Sequence, residues 1–340
     1  SGLVVAPGIV DAHTHYDPQL SFEPYATSSC FHGVTTVVAG NCGYSIAPTK
    51  PADREFMTGL FAKVEGMSPE VLGAGLPWTW QTFPEFLDAL DAKLGLNVAC
   101  YVGHSAVRRW VMGDAASERA ATEAEVEEMK RIVGEAMRAG ACGFSSSLAP
   151  THVDQWEKPV PSRFSAFEEV AILCEAAGEG GSGSISILPE TAVRGLTAGD
   201  REKLIDLGRR CGLPIIIQGM GCRAGKEESW EDQKRFFAEA RDRGAAIYSV
   251  LRTQPFMRVF DFDRGTSLFD GVFHWRDLGG LPADERLRRL SDAGFRPELR
   301  RALDEPNTDG TKGSTLPPPA LDMVFVTSSA SHAETEGKSL

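Results

Sequence analysis

The sequence predicts a (β/α)₈ barrel, in which parallel strands alternate with helices. Short apolar runs alternate with helical patterns along the chain, which is typical of strand–helix units and a parallel sheet. Several runs are continuously apolar, as expected for strands that are covered on both faces. Seven such runs lie between residues 3 and 251. This number favours a barrel over the alternative, a doubly wound open sheet.

The predicted strands follow one another at short intervals. They are residues 3–11, 34–40, 96–102, 141–145, 184–188, 214–218 and 245–251. The first run is interpreted as a core strand, because it has no basic leader or cleavage site and is too short to span a membrane.

The helix between the third and fourth strands has the clearest signals. Thr122 and Glu125 have the spacing of a capping box, and Gly140 marks the end of the helix. Residues 198–210 and 230–243 repeat this pattern, and each ends in arginines and a glycine before the next strand. These segments are predicted to be the crossover helices.

Two long segments, residues 47–84 and 252–321, interrupt the alternation. Loops of this length in a barrel are usually lids or substrate-facing insertions. Residues 323–326 lie among serine, threonine and glutamate and make no convincing eighth strand, and residues 336–340 look like the start of a helix. We therefore expect residues 1–340 to form one incomplete barrel that lacks its last strand and carries two insertions.

The composition narrows the class of partner. The net charge of −12 over 340 residues would repel nucleic acid and anionic membranes, so a small molecule is the expected partner. Seven cysteines without a C-x-x-C pair suit a reducing compartment, and the protein is predicted to be cytoplasmic. The sequence leaves open whether it forms a homo-oligomer.

The strongest chemical signal is His13-Thr14-His15 at the end of the first predicted strand. Side chains at i and i+2 of a strand point the same way, so the two histidines can converge on one metal ion at the carboxyl end of a barrel. Cys42 follows the second strand between glycines. A lone cysteine is more often a small buried apolar residue, but a His-x-His one strand away favours a metal ligand.

Four other side chains near strand ends are candidates for substrate binding. Arg108 follows the third strand with His104 and could pair with a substrate carboxylate in fork geometry, although both residues could equally buttress loops. His152, after the fourth strand, could be a replacement ligand or a substrate contact. Glu190, after the fifth strand, could bind a metal through a carboxylate oxygen.

Several blocks of the first half resemble the N-acyl-D-amino-acid deacylase family of the amidohydrolase superfamily. The blocks are PGIVDAHTH at 7–15, GVTTV at 33–37, GNCG at 40–43, GHSAVR at 103–108 and AGACGFSS at 139–146. The resemblance implies hydrolysis of a small N-acyl amino acid or related amide by zinc-activated water. It also implies one or two divalent ions, with His13 and His15 as ligands and Cys42 as ligand or bridge.

The chain departs from the family pattern at three places. The family carries histidines at the ends of the fifth and sixth strands, where this chain has no histidine and instead presents residues 188–190 and Gln218. The catalytic aspartate of the family is expected beyond Leu340, so the catalytic residue is unknown. A catalytically impaired or non-catalytic relative and a one-metal barrel enzyme of other chemistry therefore remain alternatives. Any metal is expected to be held less tightly than in a complete site.

Overall fold

A computed structural model of the chain describes residues 2–91, 93–156, 158–192, 195–218, 228–251, 259–260, 267–279, 281–305 and 318–340. The backbone divides into two compact units, residues 1–256 and 257–340. The prediction of one barrel over residues 1–340 remains a prediction.

The first unit contains a curled sheet of seven parallel strands, each hydrogen-bonded to the next in chain order. The strands are β1 Ile9–Asp11, β2 Val34–Ala39, β3 Asn97–Gly103, β4 Gly143–Ser147, β5 Ser184–Leu188, β6 Ile215–Ile217 and β7 Ile247–Ser249. Sequential order is that of a barrel, whereas a doubly wound sheet reverses at a switch point. The barrel-type fold is thus confirmed, and the doubly wound alternative is wrong.

The first strand differs from its prediction. Only Ile9–Asp11 pairs with β2, whereas Leu3, Val4 and Val5 are 94%, 91% and 97% exposed. The prediction that residues 3–8 form part of a core strand is wrong. β1 lies at the edge of the described sheet and is hydrogen-bonded on one side only, and the exposure of the preceding residues shows that no other described part of the chain covers them.

Helices alternate with these strands. They are α1 Thr27–Cys30, α2 Arg54–Glu65, α3 Pro69–Gly75, α4 Phe83–Asp91, α5 His104–Met112, α6 Glu123–Ala139, α7 Phe167–Gly178, α8 Ala198–Cys211 and α9 Glu228–Asp242. The predictions for α6, α8 and α9 are confirmed to within two residues. Both α6 and α8 begin with a capping box, formed by Thr122 with Glu125 and by Thr197 with Asp200. No helix in the described part of the chain is long and apolar enough to cross a membrane.

The predicted insertion at residues 47–84 is a folded part of the core. It contains α2 and α3, and Met57, Phe61 and Trp80 are buried within it. Apolar side chains on one face of α2 pack against the main core, so this segment supports the sheet.

The described residues of the second unit include three α-helices. They are α10 Trp275–Gly279, α11 Ala283–Ser291 and α12 Arg296–Asp304. Residues 336–340 do not begin a helix, since Ser339 instead forms an isolated antiparallel bridge with Phe325. Much of the predicted insertion at 252–321 lies outside the described residues.

We expect Glu125→Gln to lower the free energy of unfolding at pH 7 by about 1 kcal/mol. The Arg119 guanidinium and the backbone N–H of Thr122 both donate to the Glu125 carboxylate, and they lower its pKa to about 2. A carboxyl whose pKa is lower in the folded state stabilises the protein above its ordinary pKa, and this stabilisation is lost as the pH falls.

Urea denaturation of Glu125→Gln and of the unaltered chain measures the difference in their free energies of unfolding. This difference should have its full value above pH 4.5 and should disappear towards pH 2. The control is Glu127→Gln, a change at an exposed position on α6. Equal losses in the two variants would contradict a specific role of the capping box.

Candidate metal centre

The turn after β2 brings Cys42 to the carboxyl edge of the sheet. Asn41, Cys42 and Gly43 form a single tight turn in which Cys42 has a φ of 56°. A Cβ atom on Gly40, which has a φ of 77°, would lie 2.2 Å from the carbonyl oxygen of Tyr101 on β3. Only glycine fits this close approach. The left-handed backbone at Cys42 costs about 1 kcal/mol or more, and such strain is common at functional sites.

His13 and His15 follow β1 at the same edge. The backbone N–H and the hydroxyl of Thr14, the residue between them, both donate to the carbonyl oxygen of Val38, at 2.9 and 3.0 Å. The Thr14 side chain therefore faces β2. Because side chains alternate in direction along an extended segment, the imidazoles of His13 and His15 point away from the Thr14 side chain. Their ring centroids are 5.1 Å apart, and their planes are inclined by 72°.

The two imidazoles and the thiol form one cluster. The Cys42 Sγ lies 3.5 Å from His13 Nε2, and one donor atom from each of His13, His15 and Cys42 lies within 4.8 Å of the others. Zinc–sulfur and zinc–nitrogen bonds of ~2.3 and ~2.0 Å at a tetrahedral angle separate the two donors by about 3.5 Å. The spacing and the chemistry of these three residues therefore fit one zinc-like ion.

Burial sets the protonation of this cluster. It lowers the pKa of His15 to about 4, so this imidazole is neutral at pH 7 and has a lone pair for a metal. Burial, followed by the charge of Glu65, raises the pKa of the Cys42 thiol well above its ordinary value. A coordinated cation has the opposite effect and deprotonates a thiol outright. Glu65 Oε1 also lies 3.5 Å from His15 Nε2 and places a negative charge beside the cluster.

His152 lies close to the cluster, with Tyr44 beside it. The ring of His152 is 5.2 Å from that of Tyr44, which is 6.1 Å from the ring of His15. Burial, with smaller contributions from His15 and Arg163, lowers the pKa of His152 to about 3. The buried Tyr44 hydroxyl has no hydrogen-bond partner among the described residues. Sequence analysis did not identify Tyr44, although its position directly after the glycine-bounded turn was an available signal.

His104 and Arg108 lie in a buried network on α5. His104 contacts Ser146 Oγ at 2.9 Å and Glu169 Oε1 at 2.8 Å, and Arg108 Nη1 donates to both carboxylate oxygens of Glu169. Neither His104 nor Arg108 is exposed to solvent. This geometry favours the buttressing alternative over substrate contact, because the guanidinium already binds a buried carboxylate.

Glu190 and Gln218 occupy different surroundings at the strand ends. Glu190 is exposed and lines a cleft of about 200 Å³ together with Arg163 and Lys203, and it is not among the residues whose donor atoms meet at the cluster. Gln218 is buried, with its Oε1 atom 4.0 Å from Cys42 Sγ. Sequence analysis did not identify Arg163, which is distant in sequence from every strand end.

Comparison with known proteins identifies the family. Residues 1–198, more than half of the chain, match the amidohydrolase family. This chain belongs to the amidohydrolase family. D-aminoacylase of Alcaligenes xylosoxydans xylosoxydans is 33% identical to this amidohydrolase over 219 residues, which cover 64% of this chain and 40% of that protein. The chain therefore spans less than half the length of this curated relative.

Solved structures agree with this assignment. The crystal structure of D-aminoacylase matches 72% of this amidohydrolase, and the matched region is 46% of the D-aminoacylase chain. The TM-score is 0.53 and the sequence identity is 26%. N-acyl-D-glutamate deacylase from Bordetella bronchiseptica, solved with zinc and a phosphonate inhibitor, has a TM-score of 0.50 and 24% identity over 72% of this chain and 46% of that one. At that identity the second likeness shows the fold alone. The resemblance to N-acyl-D-amino-acid deacylases is confirmed, as is a barrel with part of its strands.

Proposed function

We propose that this chain carries the metal centre of a hydrolase that cleaves the C–N bond of a linear amide, with N-acyl-D-amino acids as the substrate class. The observation that carries the proposal is the meeting of His13, His15 and Cys42 donor atoms at the carboxyl edge of the sheet, where barrel enzymes bind their substrates. Membership of the amidohydrolase family and similarity to D-aminoacylase support the reaction class.

His13, His15 and Cys42 would hold the ion, and zinc bound there would polarise the amide carbonyl and lower the pKa of water towards ~7. Neutral His15 keeps its lone pair over the whole physiological pH range, because its pKa is about 4. Burial and nearby negative charges raise the pKa of Tyr44, which therefore keeps its proton. Its hydroxyl offers a hydrogen-bond donor beside His15, suited to an oxygen that gains negative charge.

A substrate with a free carboxylate needs a cation near the centre. Arg108 is bound to Glu169, so Arg163 is the better proposal. It donates to the carbonyl oxygens of Pro150 and His152, both at 3.2 Å. Its charge also influences the pKa values of Tyr44 and His152. We retain His152, whose carbonyl oxygen accepts from Arg163, and Glu190, which lines the same cleft as Arg163, as proposed substrate contacts.

The test is hydrolysis by the full 340-residue chain. We expect zinc-loaded protein to hydrolyse N-acetyl-D-amino acids, and chelator-treated protein to lose activity about 100-fold or more, because the metal contributes several kcal/mol to the transition state. D-aspartate, D-glutamate and D-methionine derivatives and their L-enantiomers would define the substrate class. Zinc binding without hydrolysis of any amide would favour a non-catalytic relative, and absence of zinc binding would contradict the metal centre.

A further inference from the structure

We infer that the side-chain oxygen of Gln218 is a fourth donor to the ion proposed at His13, His15 and Cys42, which makes a single-ion site with two nitrogens, one sulfur and one oxygen. This inference rests on the proposed function. Gln218 directly follows β6 and is 8% exposed, and its Oε1 atom lies 4.0 Å from Cys42 Sγ. Sulfur and oxygen donors on one tetrahedral zinc are about 3.6 Å apart, so the observed separation of 4.0 Å is close to that of two donors on one ion.

The orientation of the Gln218 amide decides whether it can bind a cation. One end of the amide is an oxygen that accepts, and the other is an NH₂ group that only donates. The two ends have nearly the same shape, so the hydrogen-bond network must determine which one faces Cys42. That network begins at the backbone carbonyls of Thr14, after β1, and Val38, on β2.

Asn41 is the first link. Its Nδ2 atom lies 2.9 Å from the carbonyl oxygen of Val38 and 3.3 Å from that of Thr14. Backbone carbonyls can only accept, so the NH₂ end of Asn41 must face them and its Oδ1 must face away. Ser186 Oγ lies 2.8 Å from this Oδ1. The hydroxyl of Ser186 therefore donates its single proton to Asn41.

Gln218 is the last link. Ser186 Oγ has only lone pairs left, and Gln218 Nε2 lies 2.7 Å from it, so the NH₂ end of Gln218 must donate there. The oxygen of Gln218 is then directed to Cys42. Asn41 and Ser186 are 1% and 0% exposed, so bulk water does not compete for these bonds. The carbonyls of Thr14 and Val38 thus orient the amide of Gln218, directly after the sixth strand.

The alternative is that Gln218 only accepts the weak hydrogen bond of the Cys42 thiol. The two roles differ once a metal is added. A coordinating oxygen changes the ligand field and the affinity, whereas an acceptor for the thiol loses its partner when the sulfur is deprotonated. A neutral amide oxygen is also a weaker zinc donor than imidazole, which agrees with the expectation that any metal here is held less tightly than in a complete site.

The full chain, stripped of metal, should be titrated with Zn²⁺ against a chromophoric chelator and with Co²⁺ followed by visible absorption. Gln218→Met keeps the length of the side chain but removes the oxygen. This variant is expected to bind zinc about 10- to 100-fold more weakly, which is the typical effect of losing even a group that only hydrogen-bonds to a metal ligand. Its Co²⁺ absorption bands should also shift. The control is Gln81→Met at an exposed position, which should change neither. Ser186→Ala should weaken binding less, because the oxygen stays but its orientation is released.

A second measurement uses the unaltered protein, so that it stands even if Gln218→Met does not fold. The side-chain amide ¹³C and ¹⁵N signals of Gln218 should move on addition of one equivalent of Zn²⁺. Unchanged Gln218 signals, or zinc affinity and Co²⁺ bands in Gln218→Met equal to those of the unaltered chain, would overturn the inference. If the inference fails in this way but His13→Ala no longer binds zinc, the metal centre proposed at His13, His15 and Cys42 still stands. An unaltered chain that binds no zinc would overturn both.

Discussion

Replacing Cys42 with serine is expected to weaken zinc binding by about 100-fold. Apparent binding free energies of zinc in small protein sites are about 10–16 kcal/mol, so one of four ligands accounts for roughly 3 kcal/mol, which is about 100-fold in affinity. Serine keeps the shape of the side chain but replaces the thiolate with a hydroxyl, a much poorer zinc ligand at neutral pH. Competition with a chromophoric chelator measures the change.

Cys211→Ser is the matched control, because Cys211 is 7% exposed and Cys42 is 5% exposed. Cys211 lies on α8 within the main core, and its Sγ is 3.8 Å from the carbonyl oxygen of Leu213. This variant should keep the zinc affinity of the unaltered chain. If both variants bind zinc equally well, Cys42 is not a ligand and the metal lies elsewhere.

Glu169→Ala is expected to destabilise the protein by about 3–5 kcal/mol, because it leaves the buried charge of Arg108 uncompensated. The Glu169 carboxylate accepts hydrogen bonds from Arg108 and from His104, and it is itself 4% exposed. The loss should also free His104 Nε2 from its partner. Urea denaturation, followed by far-ultraviolet circular dichroism, measures the free energy of unfolding.

The neighbouring Glu168→Ala provides the comparison. Glu168 pairs with Arg210, but its side chain is 63% exposed, so its loss should cost no more than about 1 kcal/mol. Replacing both Arg108 and Glu169 with apolar residues of similar volume should recover most of the lost stability. Similar small losses for both single variants would mean that Arg108 is not held by Glu169, and its predicted role in substrate binding would regain support.

The parts of the fold that sequence analysis predicted correctly depend on local patterns. The capping box at Thr122 and Glu125 is a spacing of three residues, and it forms as predicted at the start of α6. β5 was predicted at its observed bounds because its apolar run is short and bounded on both sides. Leu3, Val4 and Val5 show the limit of this reasoning, since an apolar run predicts a strand but not whether another layer covers it.

The candidate site was predictable where one strand sets the geometry. Side chains at i and i+2 of an extended segment point the same way, so His13-Thr14-His15 by itself determined that two imidazoles lie together. The glycine-bounded turn likewise predicted Cys42 beside them. The surroundings of Arg108 were not predictable in this way: its sequence position after β3 suggests the barrel mouth, whereas its guanidinium is buried against Glu169, 61 residues away.

Only the tertiary structure decided the contacts between segments that are distant in sequence. Gln218 lies 176 residues from Cys42, and no periodicity relates the two positions. The direction of its amide depends on Ser186 and Asn41, and ultimately on the backbone carbonyls that Asn41 faces. The physical reason is that hydrogen-bond polarity passes from group to group through contacts, and strand packing creates those contacts between residues that no local pattern connects.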